Sequence, residues 1–123
     1  MAAETFFFDT SALIEIFLGN KAYLPYLHKR IMLTQLNLFE LYYFFLKNFS
    51  LELAEKEFKK YSPAAVPLED AILRKSAQWR LKYKKVNFSM TDAIGYTTAL
   101  SYGVHFLTRD SGFRALPYAE FVR

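Results

Sequence analysis

Four acidic side chains occupy positions where carboxylates could do chemistry, namely Asp9, Glu40, Asp92 and Asp110. If the fold gathers them in one cleft, they repel one another, and some must keep their protons unless a divalent cation lies among them. A site built only from carboxylate oxygens suits magnesium or manganese. The sequence therefore suggests a divalent-metal site, provided that elements far apart in the chain meet at one place.

Glu40 has the least ordinary surroundings of the four. It is the only acidic or basic residue between Leu36 and Leu46, and its neighbours include Phe39 and Leu41. A helix that is apolar nearly all round is expected to be buried, and a lone buried carboxylate needs a cation or a proton. We therefore favour a functional interpretation of Glu40.

The other three carboxylates have simpler explanations when each is taken alone. Asp9 could cap a helix, and Asp110 could serve as a turn or cap residue before a glycine. Asp92 could close a capping box with Ser89 in the pattern Ser-x-x-Asp. Capping is the favoured interpretation for each of them singly. A catalytic role for the three therefore requires that the fold bring them together.

Strands and helices alternate along the chain according to its apolar periodicity. Strands are predicted at residues 5–8, 31–33, 104–107 and 120–122, and Val66 could belong to a further brief strand. Helices are predicted between Asp9 and Gly19 and at residues 21–28, 36–47, 51–61, 69–84 and 91–102. This alternation predicts an α/β three-layer sandwich, in which a central, mostly parallel sheet is flanked by helices.

The predicted sheet gives three of the carboxylates a common location. Ligands bind at the carboxyl ends of strands in open parallel sheets. Asp9 directly follows the first strand, and Asp110 comes shortly after the strand that ends at Leu107. Asp92 opens the helix that leads into that strand. Right-handed crossovers could bring these positions to the same edge.

Length and composition predict one globular domain over residues 1–123. The 123 residues are 53% hydrophobic, with four glycines and four prolines, so the chain can bury a core and does not resemble a disordered segment. Cysteine is absent, which excludes disulfides, thiolate metal sites and a cysteine nucleophile. The net charge of +4 suits a polyanionic partner without requiring one.

The sequence gives no indication of a membrane location. The N-terminal segment MAAETFFFDT has no basic leader followed by a sustained apolar stretch, so we expect a cytoplasmic protein. The most apolar stretch, residues 31–46, is interrupted by polar side chains and falls short of the ~20 apolar residues that a membrane helix needs. It is better interpreted as a strand followed by a helix.

Four short motifs together resemble those of PIN-domain proteins, especially the VapC-type toxins of toxin–antitoxin systems. They are FFFDTSALI at residues 6–14, LTQLNLFEL at residues 33–41, SMTDA at residues 89–93 followed by Ala99, and FLTRDSGF at residues 106–113. No single motif is specific, but the four occur in order over nearly the whole chain. One departure is Gly112, where many relatives carry a further acid, and it leaves the second metal position open.

The resemblance implies a divalent-metal-dependent endoribonuclease that hydrolyses RNA phosphodiester bonds and leaves 5′-phosphate and 3′-hydroxyl ends. Asp9, Asp92 and Asp110 would hold magnesium or manganese, directly or through water, and Glu40 would complete the acidic ring as the fourth catalytic residue. An alternative of a different class is a PIN-like module that is catalytically weak and binds RNA or a protein. The departure at Gly112 keeps that alternative open.

Several neighbouring side chains could support the acids. Thr10, Ser11 and Thr108 lie beside them in the sequence and could hydrogen-bond to them, although the first two could equally cap a helix. Asn37 shares a helical face with Glu40 and could bond its carboxylate, or simply pack.

RNA contact is assigned to basic side chains near the predicted site. Arg109 and Arg114 are the preferred candidates because they flank the fourth motif. The basic segment at residues 80–85 is better interpreted as a solvated helix face.

Partners follow partly from composition and partly from the resemblance. Aromatic residues make up 19% of the chain, which can exceed the need of one small core. The surplus surface could bind a second copy of the chain, giving a homodimer, or an apolar segment of a cognate antitoxin. Transfer RNA and ribosomal RNA are the substrates that the family suggests, and the sequence does not choose between them.

Overall fold

The computed structural model describes residues 3–123. The strands are β1 (Thr5–Phe8), β2 (Arg30–Met32), β3 (His105–Thr108) and β4 (Ala119–Phe121). The α-helices are α1 (Thr10–Phe17), α2 (Gln35–Asn48), α3 (Leu51–Tyr61), α4 (Asp70–Lys82) and α5 (Met90–Tyr102). Short 3₁₀ helices cover Lys21–Tyr26, Ser62–Ala64 and Ser111–Phe113.

The strands form one parallel sheet in the order β2-β1-β3-β4. From β1 the chain crosses to β2 on one side and later returns to β3 on the other side of β1. The carboxyl ends of β1 and β3 therefore form the point where the direction of winding reverses, which is where ligands bind in open sheets of this kind.

Aromatic side chains of β1 enter both faces of the sheet because successive residues of a strand point in opposite directions. Phe6 and Phe8 belong to the core on the side of α1, α2 and α3. Phe7 packs on the opposite side with Phe106 and with Tyr96 of α5. A strand buried on both faces explains the unbroken apolar run, and the predicted three-layer sandwich is confirmed with all four strands parallel.

Most predicted elements lie within a residue or two of the observed ones, with two differences. The helix predicted at residues 21–28 is a 3₁₀ helix at Lys21–Tyr26, which contains Pro25, a residue that cannot donate to an α-helical ladder. The brief strand suggested at Val66 is reduced to a single bridge between Leu33 and Ala65. Val66 adds one hydrogen bond, from its amide to the carbonyl of Leu33 at 2.8 Å.

Helix α2 corrects the expectation that it is buried all round. Leu38, Leu41 and Phe45 face the core, whereas Phe39 is 71% exposed and Tyr43 is 57% exposed. The helix lies on the outer layer of the sandwich, so only one of its faces meets other elements. In the described residues 3–123, no helix combines the length and apolar character that crossing a membrane would require.

Gly95 lets α5 lie directly against the central strands. A Cβ atom at this position would be 3.0 Å from Cε1 of Phe7 and 3.1 Å from Cε1 of Phe106. Both rings are fully buried, so they have little room to move. Gly95 is thus a packing requirement of the helix that carries Asp92.

Replacing Gly95 by alanine should destabilise the protein. Overpacking of this kind costs about 1–3 kcal/mol, which outweighs the ~1 kcal/mol that alanine gains over glycine in a helix. Urea unfolding measures the difference. Ser101→Ala on the exposed side of the same helix is the control and should change stability by less than about 0.5 kcal/mol. A Gly95→Ala variant as stable as the parent would contradict the close-packing argument.

Candidate active site

The four predicted carboxylates line one cavity of about 550 Å³. The cavity lies at the carboxyl edge of the sheet, beside the ends of β1 and β3. Its lining residues are Asp9, Thr10, Ser11, Ile14, Phe39, Glu40, Tyr43, Asp92 and Asp110. The fold therefore brings together all four acids and two of the hydroxyl residues that the sequence suggested as their support.

Asp9 is the buried centre of the cavity and also the N-cap of α1. Its Oδ1 accepts a hydrogen bond from the Thr10 amide at 2.9 Å. Its Oδ2 accepts from the hydroxyls of Ser11 at 3.0 Å and Thr108 at 2.8 Å. Burial raises the pKa of Asp9 to about 7, and the negative charge of Asp92 adds to the effect, although the two hydroxyl bonds oppose it.

The same hydroxyls fasten the loop after β3 to the start of α1. Thr108 Oγ1 accepts from the Asp110 amide at 3.0 Å, and Ser11 Oγ accepts from the Arg109 amide at 3.0 Å. The Asp9 amide donates to the carbonyl of Leu107 at 2.9 Å. Asp9 and Asp110 are therefore held in a fixed relation by short bonds between two strand ends.

Glu40 is held by a chain of buried polar groups. Thr10 Oγ1 donates to Glu40 Oε1 at 2.5 Å and accepts from Asn37 Nδ2 at 3.0 Å. Asn37 Oδ1 accepts from both the amide and the hydroxyl of Thr34, each at 2.9 Å. Because Thr34 fixes which side of the amide is the acceptor, Asn37 must present its NH₂ group to Thr10.

These hydrogen bonds show that Asn37 does not bond the Glu40 carboxylate itself, which was one of its two possible roles. Asn37 is fully buried, whereas Glu40 is half-buried at the cavity edge, and the Asn37 amide bonds a hydroxyl that lies between the two. Thr10 of α1 fills that place. The relay acts between helices, and the spacing of residues within α2 alone could not reveal it.

Asp92 both caps α5 and faces the cavity. The Ser89 amide donates to Asp92 Oδ2 at 3.0 Å and the Asp92 amide donates to Ser89 Oγ at 3.0 Å, which is the predicted capping box. Burial raises the pKa of Asp92, and its bonds to Ser89 oppose that rise. Asp110 similarly caps the turn that follows it, because its Oδ1 accepts from the Gly112 amide at 2.9 Å. Capping and cavity lining thus coexist.

The charges around the cavity fit a divalent cation. Within residues 3–123 none of the four carboxylates pairs with a basic side chain. The pKa of Glu40 is raised first by burial, opposed by its bond to Thr10, and raised further by Asp92. A divalent cation would relieve this repulsion, and oxygen ligands are those that magnesium and manganese prefer.

The carboxylates surround the cavity without closing on one point. No group of three or more acidic or histidine side chains in the described residues is placed as a complete metal-ligand set. Magnesium keeps several of its water ligands in protein sites, so a partly hydrated ion fits such an open arrangement. The carboxylates would therefore hold such an ion partly through water.

The structure gives the two arginines suggested for RNA contact other partners. Arg109 Nε lies 2.8 Å from Glu15 Oε1, and the Arg114 guanidinium lies 5.2 Å from the ring centre of Phe121. Neither lines the acidic cavity. The first pair joins two distant parts of the sequence, so the position of the arginines beside the fourth motif could not show it.

Arg80 is a basic residue near the site that the sequence interpretation passed over. Its Nε donates to the carbonyl of Phe88 at 2.9 Å, and its charge lowers the pKa of Asp92. It belongs to the segment interpreted as a solvated face. The sequence could have indicated this role, because the loop between α4 and α5 is short and must keep the end of α4 close to Ser89 and Asp92.

Gly112 occupies a tightly filled position. A Cβ atom there would lie 3.0 Å from Phe88 Cε1 and 3.2 Å from both Val86 Cγ1 and Asp110 Oδ1. A side chain at this place would need Phe88 and Val86 to shift by a few tenths of an ångström. Glycine at position 112 therefore lets the turn after Asp110 pack closely against Phe88.

Comparisons with known proteins agree with this architecture. A family model of the PIN domain matches residues 6–117. The fold is similar to a toxin–antitoxin complex from Klebsiella pneumoniae, with a TM-score of 0.76 and 20% identity over 94% of this chain and 95% of that chain. It is also similar to VapBC2 from Rickettsia felis bound to a DNA fragment from their promoter, with a TM-score of 0.72 and 14% identity over 95% and 98% of the two chains. No curated protein sequence matches the chain.

Asp9→Asn should make the stability of the metal-free protein less dependent on pH. The folded chain holds the Asp9 proton up to about pH 7, whereas the unfolded chain releases it near 3.8. Parent stability is therefore lost as the pH rises from about 4 through about 7, by on the order of 4 kcal/mol at most. Asparagine carries no such proton, so the advantage of the variant over the parent grows across that range.

Urea unfolding at pH 5 and pH 8 in the presence of a chelator measures this effect. Glu52→Gln, at an exposed acid in the first turn of α3, is the matched control and should follow the parent. A difference between Asp9→Asn and the parent that stays constant with pH would show that burial does not hold the proton.

Proposed function

Because this chain belongs to the PIN-domain family, we propose that it is a divalent-metal-dependent endoribonuclease that acts in the cytoplasm as the toxin of a toxin–antitoxin pair. The observation that carries the proposal is the gathering of Asp9, Glu40, Asp92 and Asp110 around one cavity, without a basic partner in residues 3–123. RNA is the proposed substrate, with transfer and ribosomal RNA as the first candidates.

In the proposed mechanism Asp9, Asp92 and Asp110 would hold magnesium or manganese, directly or through water. When bound, the ion supplies Lewis-acid activation of water and offsets charge at the scissile phosphate. Ser11 and Thr108 fix Asp9 by bonding its Oδ2, and the capping box fixes Asp92. These bonds keep the carboxylates in place before the substrate arrives, so little reorganisation is needed on binding.

Glu40 is the proposed acceptor of the proton from the attacking water. It is half-buried at the cavity edge, so water reaches it more readily than it reaches Asp9. Burial raises its pKa, which makes the carboxylate a better base than an exposed glutamate. Thr10 holds Oε1, and the buried chain from Thr34 through Asn37 holds Thr10 in turn. Asn37 and Thr10 are therefore proposed as positioning residues for Glu40.

The proposed protein partner is an apolar segment of a cognate antitoxin. A groove of about 580 Å³ runs between α2 and α3, and its lining residues are Gln35, Leu38, Phe39, Tyr42, Glu55, Phe58, Lys59 and Ser62. The two similar solved structures are both toxin–antitoxin assemblies, which supports a partner of this kind. A second copy of the chain remains the proposed partner for other exposed apolar side chains, such as Leu81 and Leu100.

A second candidate function is a PIN-like binding module with weak or no catalysis. The observation in its favour is Gly112, which stands where the resemblance leads one to expect another acid. The space beside it is filled by Phe88 and Val86, so this chain lacks one possible metal ligand. Cleavage assays separate the two functions.

Cleavage should depend more on the charge of Asp92 than on the hydroxyl that caps its helix. Asp92→Asn keeps an oxygen that can accept from the Ser89 amide but removes the charge, so we expect a loss on the order of 100-fold or more in cleavage. Ser89→Ala removes the hydroxyl that caps the helix and should cost about 1 kcal/mol of stability, but it should lower cleavage far less than Asp92→Asn because the Ser89 amide still donates to Asp92 Oδ2. Transfer and ribosomal RNA with manganese or magnesium are the test substrates.

Chelator should abolish cleavage by the parent, as should Asp9→Asn. An Asp92→Asn variant that cleaves as well as the parent would assign Asp92 to capping alone. A parent that binds RNA but never cleaves it with either metal would favour the binding module.

Divalent metal should raise the melting temperature of the parent. A ligand at 100 times its Kd stabilises the folded state by about 2.7 kcal/mol, which is a shift of several degrees for a domain of this size. Thermal unfolding with increasing manganese measures the shift. Manganese should raise the melting temperature of Glu52→Gln as much as that of the parent, and should not raise that of Asp9→Asn. An equal rise in the two variants would mean that the ion binds elsewhere.

A further inference from the structure

Two exposed aromatic side chains of α2 form part of the acidic cavity. Phe39 and Tyr43 are 71% and 57% exposed, and both line the cavity that holds the four carboxylates. They are four residues apart, so they lie on one face of the helix with their side chains about 5–6 Å apart. Glu40 follows Phe39 directly. A pair of apolar rings thus stands at the mouth of a charged site.

These rings differ from the other aromatic side chains of the same helix. Tyr42 packs edge-on against Phe58 at 5.7 Å, and Phe44 packs against Phe45 at 5.2 Å. Among the aromatic pairs formed by residues 3–123, neither Phe39 nor Tyr43 takes part. Their ring faces are therefore available to a ligand, at the cost of leaving apolar surface in water.

The charge of the cavity limits how a nucleic acid could be held there. Carboxylates repel the phosphates of an approaching strand, so basic contacts must lie further away or a cation must intervene. Stacking of a base on an aromatic ring avoids that repulsion because neither partner is charged, and it contributes to binding whatever the base. A base must be unpaired to offer its face. The cavity mouth thus suits single-stranded segments.

We infer that Phe39 and Tyr43 form a stacking platform for unpaired nucleobases next to the scissile phosphate. The inference rests on the proposed function, since it takes RNA as the ligand. The platform holds the strand beside Glu40 while the acids act on the phosphate. It also gives this chain a preference for unpaired nucleotides that is independent of which base is present.

An apolar protein segment is the competing occupant, and the position of Tyr43 argues against it. Phe39 lines both the acidic cavity and the groove between α2 and α3, whereas Tyr43 lines the cavity and is not part of the groove. A peptide seated in the groove would contact Phe39 and Tyr42. A ligand that needs Phe39 and Tyr43 together lies over the acids.

Binding of short oligonucleotides in chelator tests the platform without cleavage. The probes are fluorescein-labelled hexauridylate and a hexamer of equal charge with stable abasic sites, compared by fluorescence anisotropy at low salt. Phe39→Ala and Tyr43→Ala should each weaken binding of hexauridylate about 5- to 100-fold. Neither should change binding of the abasic hexamer more than about twofold, and Phe39→Trp should retain the parent affinity for hexauridylate.

Tyr102→Ala is the matched control. Tyr102 is 43% exposed and lies about 15 Å along α5 from Asp92, so its removal should leave both affinities unchanged. Equal losses on the two probes would mean that the rings act through structure or charge, and would overturn the platform. Unchanged binding of hexauridylate in both variants would also overturn it and would favour a protein segment on Phe39.

The outcome for the platform is separate from that for the enzyme. If the alanine variants lose base-dependent binding while the parent never cleaves RNA with metal, the platform stands and the catalytic proposal fails. If the parent cleaves RNA and the variants bind hexauridylate as the parent does, the catalytic proposal stands and the platform fails. A parent that binds the two hexamers equally well would remove the platform whatever its activity.

Discussion

The buried carboxylate of Asp9 is the constraint on which the site depends. It lies at the carboxyl end of β1, beside β3, where burial raises its pKa to about 7. Its partners are one amide and two hydroxyls, and Thr108 and Ser11 in turn accept the amides of Asp110 and Arg109. The burial of Asp9 lowers the stability of the folded protein, and the same hydrogen bonds hold the loop after β3 in place. Packing of the sheet and helices must offset that loss of stability.

The layers of the fold could be predicted from the sequence because local and long-range signals agree. Three consecutive phenylalanines in β1 indicate a strand buried on both faces, and the two core clusters on opposite sides of the sheet confirm it. The capping residues Ser50 and Ser89 mark where α3 and α5 begin. The sequence suggested that Asp92 either caps α5 or lines the acidic cavity. In the structure it does both, because its Oδ2 accepts from the Ser89 amide while the carboxylate borders the cavity.

What the sequence could not give depends on contacts between elements. Apolar residues all round α2 predicted burial, but only the neighbours of a helix decide which face is covered, and Phe39 remains exposed. The path from Asn37 to Glu40 passes through Thr10 on another helix, so no spacing within α2 reveals it. Arg80 donates to Phe88 in the loop before α5, and apolar periodicity, which only locates helices and strands, does not predict how that loop folds back on α4.

The packing around Gly112 bears on how many cations the proposed enzyme uses. Phe88 and Val86 fill the space that a side chain at position 112 would enter, and Phe88 also accepts the bond from Arg80. An apolar contact therefore lies on the side of Asp110 where another ligand would have to lie, and the positive charge of Arg80 on α4 already acts on Asp92. A second divalent cation there would find no further carboxylate at position 112, and the positive charge of Arg80 would oppose its binding. We therefore expect one cation rather than two in the proposed mechanism.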